Sequence, residues 1–181
     1  MKGTALFVLG GLMLAGIIHI VTVLLVPHYA VNDAWAEMRS LGRAGTFHTI
    51  PLSEAGSGSL TSLDPRVLHA VCRFSLEDGP VRITAALLSD YWSIAIFDRR
   101  GRNAYSVNDR AADGSELDLT VITPVQMAQI RQNPPESMDS SIVIELPISE
   151  GFALIRAFVA DETMLPQVEA ALDTADCAGT L

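Results

Sequence analysis

The sequence lacks several things whose absence limits its function. Lys and Arg number 12 against 21 Asp and Glu, a formal net charge of −9 with a pI near 4.7. No Lys/Arg-rich run or basic-aromatic alternation appears, and nucleic-acid binding requires a positive footprint, so that class is excluded. An acidic chain has no electrostatic reason to lie flat on anionic lipid. Cysteines number only 2, Cys72 and Cys177, with no C-x-x-C, so neither a redox motif nor a zinc site is indicated. No G-x-S-x-G surrounds any serine, and Ser93 sits between Trp92 and Ile94 in a strand-like run without an elbow. Histidines number 4, and His28, His48 and His69 form no H-x-H or H-E-x-x-H spacing. The expected catalytic residues, metal ligands and cofactors are therefore none.

Charge is also missing from residues 5–26, which read ALFVLGGLMLAGIIHIVTVLLV. A helix of about 20 apolar residues crosses a hydrocarbon core, and only a helix satisfies its own backbone there. A signal peptide would have a shorter apolar region of about 7–15 residues and a small-residue cleavage site; His28-Tyr29-Ala30 is a poor one. Residues 1–27 are thus expected to be an uncleaved transmembrane anchor in inner-membrane lipid, ending at Pro27. Lys2 precedes the span, and no Lys or Arg follows it until Arg39, which puts the N-terminus in the cytoplasm and the rest in the periplasm. Within the span, Gly11 and Ala15 form a small-xxx-small pair and His19 continues the stripe, a face suited to a second helix. An equal alternative is a neutral His19 facing lipid or bonding its own helix.

Residues 28–62 are expected to form a juxtamembrane helix and a linker. Val31, Trp35, Met38 and Leu41 recur at helical steps, Asn32 or Asp33 would cap the helix, and Gly42 would stop it. An extended piece at 46–52 precedes the Gly/Ser stretch 53–59, whose Gly56 and Gly58 do not make a phosphate loop.

Residues 63–181 have the size of one domain. Leu68, Ala70, Cys72 and Phe74 alternate with His69, Val71 and Arg73, and further alternations run through Val81–Leu87, Tyr91–Phe97, Ala104–Asn108, Leu117–Val121, Ile142–Ile148 and Phe152–Phe158. Thr123-Pro124 opens one short helix and Pro166 another. The expected class is α+β: a mainly antiparallel sheet domain with a few packed helices. An even cysteine count in an oxidising compartment predicts that Cys72 pairs with Cys177. Arg73, Arg82 and Arg156 fall at polar-face positions; meeting on one side, they would bind an anion, though solvated Asp-Arg pairs are the commoner outcome. Arg73, Arg82, Tyr91, Trp92 and Tyr105 are the candidate ligand-binding residues of an aromatic, arginine-lined groove.

The stretch 64–109, DPRVLHAVCRFSLEDGPVRITAALLSDYWSIAIFDRRGRNAYSVND, resembles the DUF1254 family, whose members have a leucine-containing strand, a step like Gly79-Pro80 and an aromatic strand ending in Asp. Residues 33–51 are similar to short membrane-anchored members. No catalytic motif defines the family, so the resemblance implies no activity. Members are often fused to, or encoded beside, a DUF1214 domain; the chain is expected to be too short for both, which implies a separate DUF1214-type companion protein. Three roles follow from the sequence. The first is a non-enzymatic envelope protein binding a partner or ligand. The others are an enzyme processing envelope carbohydrate or lipid, and a purely structural subunit.

Overall fold

The computed structural model describes residues 2–50, 63–64, 66–87, 89–111, 116–132 and 141–178. The Gly/Ser stretch expected as a linker at 53–59 lies outside them. Helix α1 runs from Lys2 to Ser40 without a break. The span Gly3–Val26 has mean hydropathy 2.4 and is covered by nothing among the described residues. Its length and composition fit a membrane anchor or a signal sequence.

The expected helix end at Pro27 and the separate helix capped by Asn32 or Asp33 are corrected by this continuity. Proline removes one N–H and its ring crowds the carbonyl four residues back. It does not end the helix here: residues 28–40 continue it, with Ala30, Ala34, Ala36, Glu37, Met38 and Arg39 as good helix formers among them. The 14 residues beyond the span carry the helix about 20 Å further. It stops before Gly42, where a β-carbon would collide with the His48 ring.

The rest of the described chain is nine strands, β1 (His48–Ile50), β2 (Val67–Ser75), β3 (Val81–Ala86), β4 (Trp92–Asp98), β5 (Asn103–Asn108), β6 (Glu116–Ile122), β7 (Ile142–Glu145), β8 (Glu150–Phe158) and β9 (Asp176–Ala178), with helices α2 (Pro124–Ile130) and α3 (Leu165–Asp173). They form two sheets, ordered β1-β2-β8-β4-β5 and β7-β6-β3-β9. Every pairing is antiparallel except β6 with β7, which α2 joins as a crossover. The α+β class therefore holds, with the strands divided between two facing sheets.

One apolar core lies between the sheets. The first contributes Leu68, Ala70, Phe74, Trp92, Ile94, Ile96 and Ile155, the second Ile83, Leu117, Leu119 and Val121. Alternation along each strand places these residues on one face. Val168, Ala171 and Leu172, at helical spacing on α3, are buried as well. α2 buries no residue and is held by its N-terminus: Thr123 accepts from the N–H of Gln126, whose side chain reaches back to the N–H of Thr123.

Cys72 on β2 and Cys177 on β9 are disulfide-bonded, with α-carbons 6.5 Å apart and a sequence separation of 105. The bond crosses the core and ties one sheet to the other. The short strand β9, unrecognised in the sequence, carries Cys177 there. A structural disulfide of this kind belongs to an oxidising compartment.

Candidate functional site

The outer face of the five-stranded sheet is built in cross-strand rows, because directly paired residues share a face. One row reads Arg73, Phe152, Phe97 across β2, β8 and β4. The next reads Val71, Leu154, Ala95, Ser106, and the third His69, Arg156, Ser93, Asn108. The face is thus aromatic in its first row with Arg73 beside the rings, apolar through its middle and polar in its third row.

The first end is covered. Trp35 of α1 lies 6.3 Å from Phe152, which stacks on Phe97 at 5.0 Å. Arg99 sits 5.7 Å above the Trp35 ring and pairs with Glu150 at 3.0 Å. Arg73 donates to the Gly42 carbonyl at 2.6 Å. Asp98, at the adjoining turn, accepts from the N–H groups of Arg100 and Arg102 and from the Arg102 guanidinium. Burial pushes the Asp98 carboxyl up, but those bonds and the Arg102 charge outweigh it and leave it below the usual carboxylate range. The guanidinium groups of Arg73, Arg99 and Arg102 thus all have partners.

The third row is open. A cleft of about 290 Å³ is lined by Arg156, Ser93, Ser106, Asn108 and Tyr91. It lies at the lower limit of small-molecule sites, about 300–1,000 Å³. Arg156 stands on the central strand β8, between His69 and Ser93. Its guanidinium makes no hydrogen bond or ion pair among the described residues, and its Nε is buried without a partner. Leaving such a donor unsatisfied costs about 1–3 kcal/mol, more when it is charged. His69 beside it is buried. Burial pushes its pKa down, the Arg156 charge adds to this, and the Val67 backbone and Asp64 act in the opposite direction. Asp109 Oδ1, in the turn after β5, is a second buried atom without a partner, but Asp109 does not line the cleft.

A larger cleft, about 590 Å³, opens between the β2–β3 turn, α2 and the loop before β8. Glu77 and Asp78 stand on its rim with Pro80, Ile130 and Ile148. Its best-placed polar group, Gln126, is already bonded to the Leu76 carbonyl and to its own helix cap. Size favours this cleft; unspent chemistry favours the one at Arg156.

The residues singled out from the sequence do not meet in one groove. Trp92 is 1% exposed and faces the core, against which Tyr105 also packs. Arg82 lies in the other sheet and grips Asp118 with two bonds, 2.8 and 2.6 Å, which favour its charged form. Arg73 is at the covered end. Only Tyr91, 49% exposed, reaches the Arg156 cleft. Gly11, Ala15 and His19 are all exposed on α1. No group of three or more His, Cys, Asp or Glu suited to a metal ion occurs among the described residues.

Ser106 and Asn108 came to light only through pairing: they lie on the polar side of an edge strand and look ordinary in sequence. Arg156 had a detectable signal. It is a lone cation in a strand whose neighbours Leu154, Ile155, Ala157 and Phe158 are apolar on both faces.

No curated protein matches the chain. Among the solved structures that share the fold are two bacterial proteins. One is the VPA0106 protein from Vibrio parahaemolyticus, 10% identical, with a TM-score of 0.59 over 83% of this chain and 35% of that one. The other is an uncharacterized protein from Burkholderia cenocepacia, 14% identical, with a TM-score of 0.53 over 72% of this chain and 36% of that one. The chain spans about a third of the length of each. Such low identity carries the fold alone. The family comparison reaches further: the profile described as a protein of unknown function, DUF1254, matches residues 44–178, from the junction after α1 through the end of β9, and the chain belongs to the DUF1254 family.

Proposed function

We propose that this chain is a single-pass inner-membrane protein with its N-terminus in the cytoplasm. Its α+β domain works in the periplasm as a non-enzymatic module that binds an envelope partner or ligand. One observation carries most of the reading: α1 runs unbroken from an apolar span to Ser40 and docks Trp35 on the sheet. A plain signal sequence has no need of such a seat. The disulfide speaks for an oxidising compartment, and the lack of Lys or Arg after the span until Arg39 speaks for the orientation. The partner is the DUF1214-type companion that the family resemblance implies. The face it would meet in the membrane is Gly11, Ala15 and His19; a β-carbon at Gly11 meets nothing within 4 Å, leaving room for a second helix.

Alkaline phosphatase fused to the C-terminus tests the topology, since that enzyme folds only where disulfides form. The fusion is expected to be active and to stay with the membrane fraction. Activity released as soluble protein, or a fluorescent C-terminal green fluorescent protein, contradicts the reading. For the partner, Gly11→Ile is expected to abolish co-purification of the companion without impairing insertion, and unchanged recovery contradicts it.

A further inference from the structure

We propose that the cleft at Arg156 binds a small hydroxylated monocarboxylate of the hexuronate type. Arg156 takes the carboxylate, and Ser93, Ser106 and Asn108 take hydroxyls. This deepens the ligand-binding part of the function above and is independent of the membrane orientation and of the companion protein.

The charge of the ligand follows from the charge of the site. Among the described residues Arg156 is the one basic group lining the cleft, and it has no partner there. A guanidinium presents paired donors that match the two oxygens of a carboxylate. The adjacent His69 does not add a second cation at neutral pH, because burial and the Arg156 charge both hold its pKa down. A single positive charge matches a monoanion better than a phosphate dianion.

Hydroxyl groups on the ligand follow from the rest of the lining. Ser93 is paired across the ladder with both Arg156 and Asn108, so the three side chains stand in line on adjacent strands about 5 Å apart. Ser106 is one row along, on the same face as Asn108. Short hydroxyl and amide groups both donate and accept, as a polyol requires. The exposed ring of Tyr91 supplies a flat apolar wall for the C–H face of a sugar ring. A simple fatty carboxylate would satisfy Arg156 and leave the other polar groups unmatched. A neutral sugar would leave Arg156 as it is. The volume, about 290 Å³, restricts the ligand to a small one.

Calorimetric titration of the full chain in detergent micelles tests this with D-glucuronate, D-glucose, propionate and glucose 6-phosphate as probes. Glucuronate is expected to bind about tenfold or more tightly than each of the other three. Arg156→Met is expected to weaken it about tenfold or more, and Arg156→Lys less. Asn108→Ala and Tyr91→Ala, both at solvent-facing positions, are each expected to weaken it about threefold. Circular dichroism checks that Arg156→Met folds; if it does not, the other two variants decide. No heat with glucuronate, equal binding of glucose or propionate, or tighter binding of glucose 6-phosphate overturns the assignment. Affinity unchanged in Asn108→Ala and Tyr91→Ala overturns it as well. The phosphatase fusion and this titration fail independently, which keeps the two proposals distinguishable.

Discussion

The two ends of one sheet face carry similar residues and do different things with them. At the Phe152 end, Arg73, Arg99 and Arg102 each have an acceptor, and Trp35 closes the surface. At the Arg156 end, four residues further along β8, a guanidinium stands in a cleft without a partner among the described residues. The lesson is that an arginine on a strand is not informative by itself. What separates structure from function is whether the fold has already supplied its acceptor, because an unsatisfied buried donor is retained against a stability cost.

Both ends rest on the same core, so the largest expected effect should not tell them apart. Replacing Cys72 and Cys177 together by Ser frees a loop of roughly a hundred residues, which the chain-entropy view values at up to about 4–5 kcal/mol. Thermal unfolding with and without reductant checks this. Trp35 fluorescence and binding at Arg156 are expected to fail together; loss of one end alone would show that the disulfide staples only part of the domain.

Next in size is Asp98→Ala, which breaks the covered end. It strips three bonds from a buried carboxylate and is expected to cost about 2–3 kcal/mol in denaturant unfolding. Because the folded carboxyl sits below its usual range, its stabilisation is complete above the unfolded pKa and is lost as pH falls through the folded one. The wild-type acid limb should therefore flatten in this variant. Trp35→Ala should cost about 1 kcal/mol through its ring and cation contacts. It should also raise proteolysis at the Gly42–Gly45 junction, leaving the Arg156 cleft unchanged.

A smaller effect sharpens the open end. The depressed pKa of His69 means that the unfolded chain takes up protons that the folded one refuses. Stability is then expected to fall as pH drops through about 6.5, and His69→Gln should remove that slope. Melting temperatures of both proteins between neutral and mildly acidic pH check it; parallel curves would mean that His69 titrates as it does in water.

Much of this was legible in the sequence, for local reasons. Alternation at Leu68–Phe74 and Phe152–Phe158 gave the strands and their inner faces, and Thr123-Pro124 gave α2. The cysteine pair followed from count and compartment. Pro27 misled because a one-residue breaker was weighed without the helix formers Ala34, Ala36, Glu37, Met38 and Arg39 that follow it. The binding residues were the least legible. Trp92 and Tyr105 advertise aromatic contact, yet alternation turns them to the core, and Arg82 finds Asp118 on the next strand, 36 positions away. Pairing partners between distant strands are set by topology, and no spacing rule in one chain reveals them.

The most direct measurement compares Arg73→Met with Arg156→Met in thermal unfolding of the otherwise unaltered chain. The account predicts that Arg73→Met lowers the melting temperature, because it removes the bond to Gly42 that seats the end of α1. Arg156→Met is predicted to leave it equal or higher, because it removes a buried donor that has no partner among the described residues. An equal fall in both variants would contradict the account: Arg156 would then be holding the sheet together, and the open end would be structural like the other.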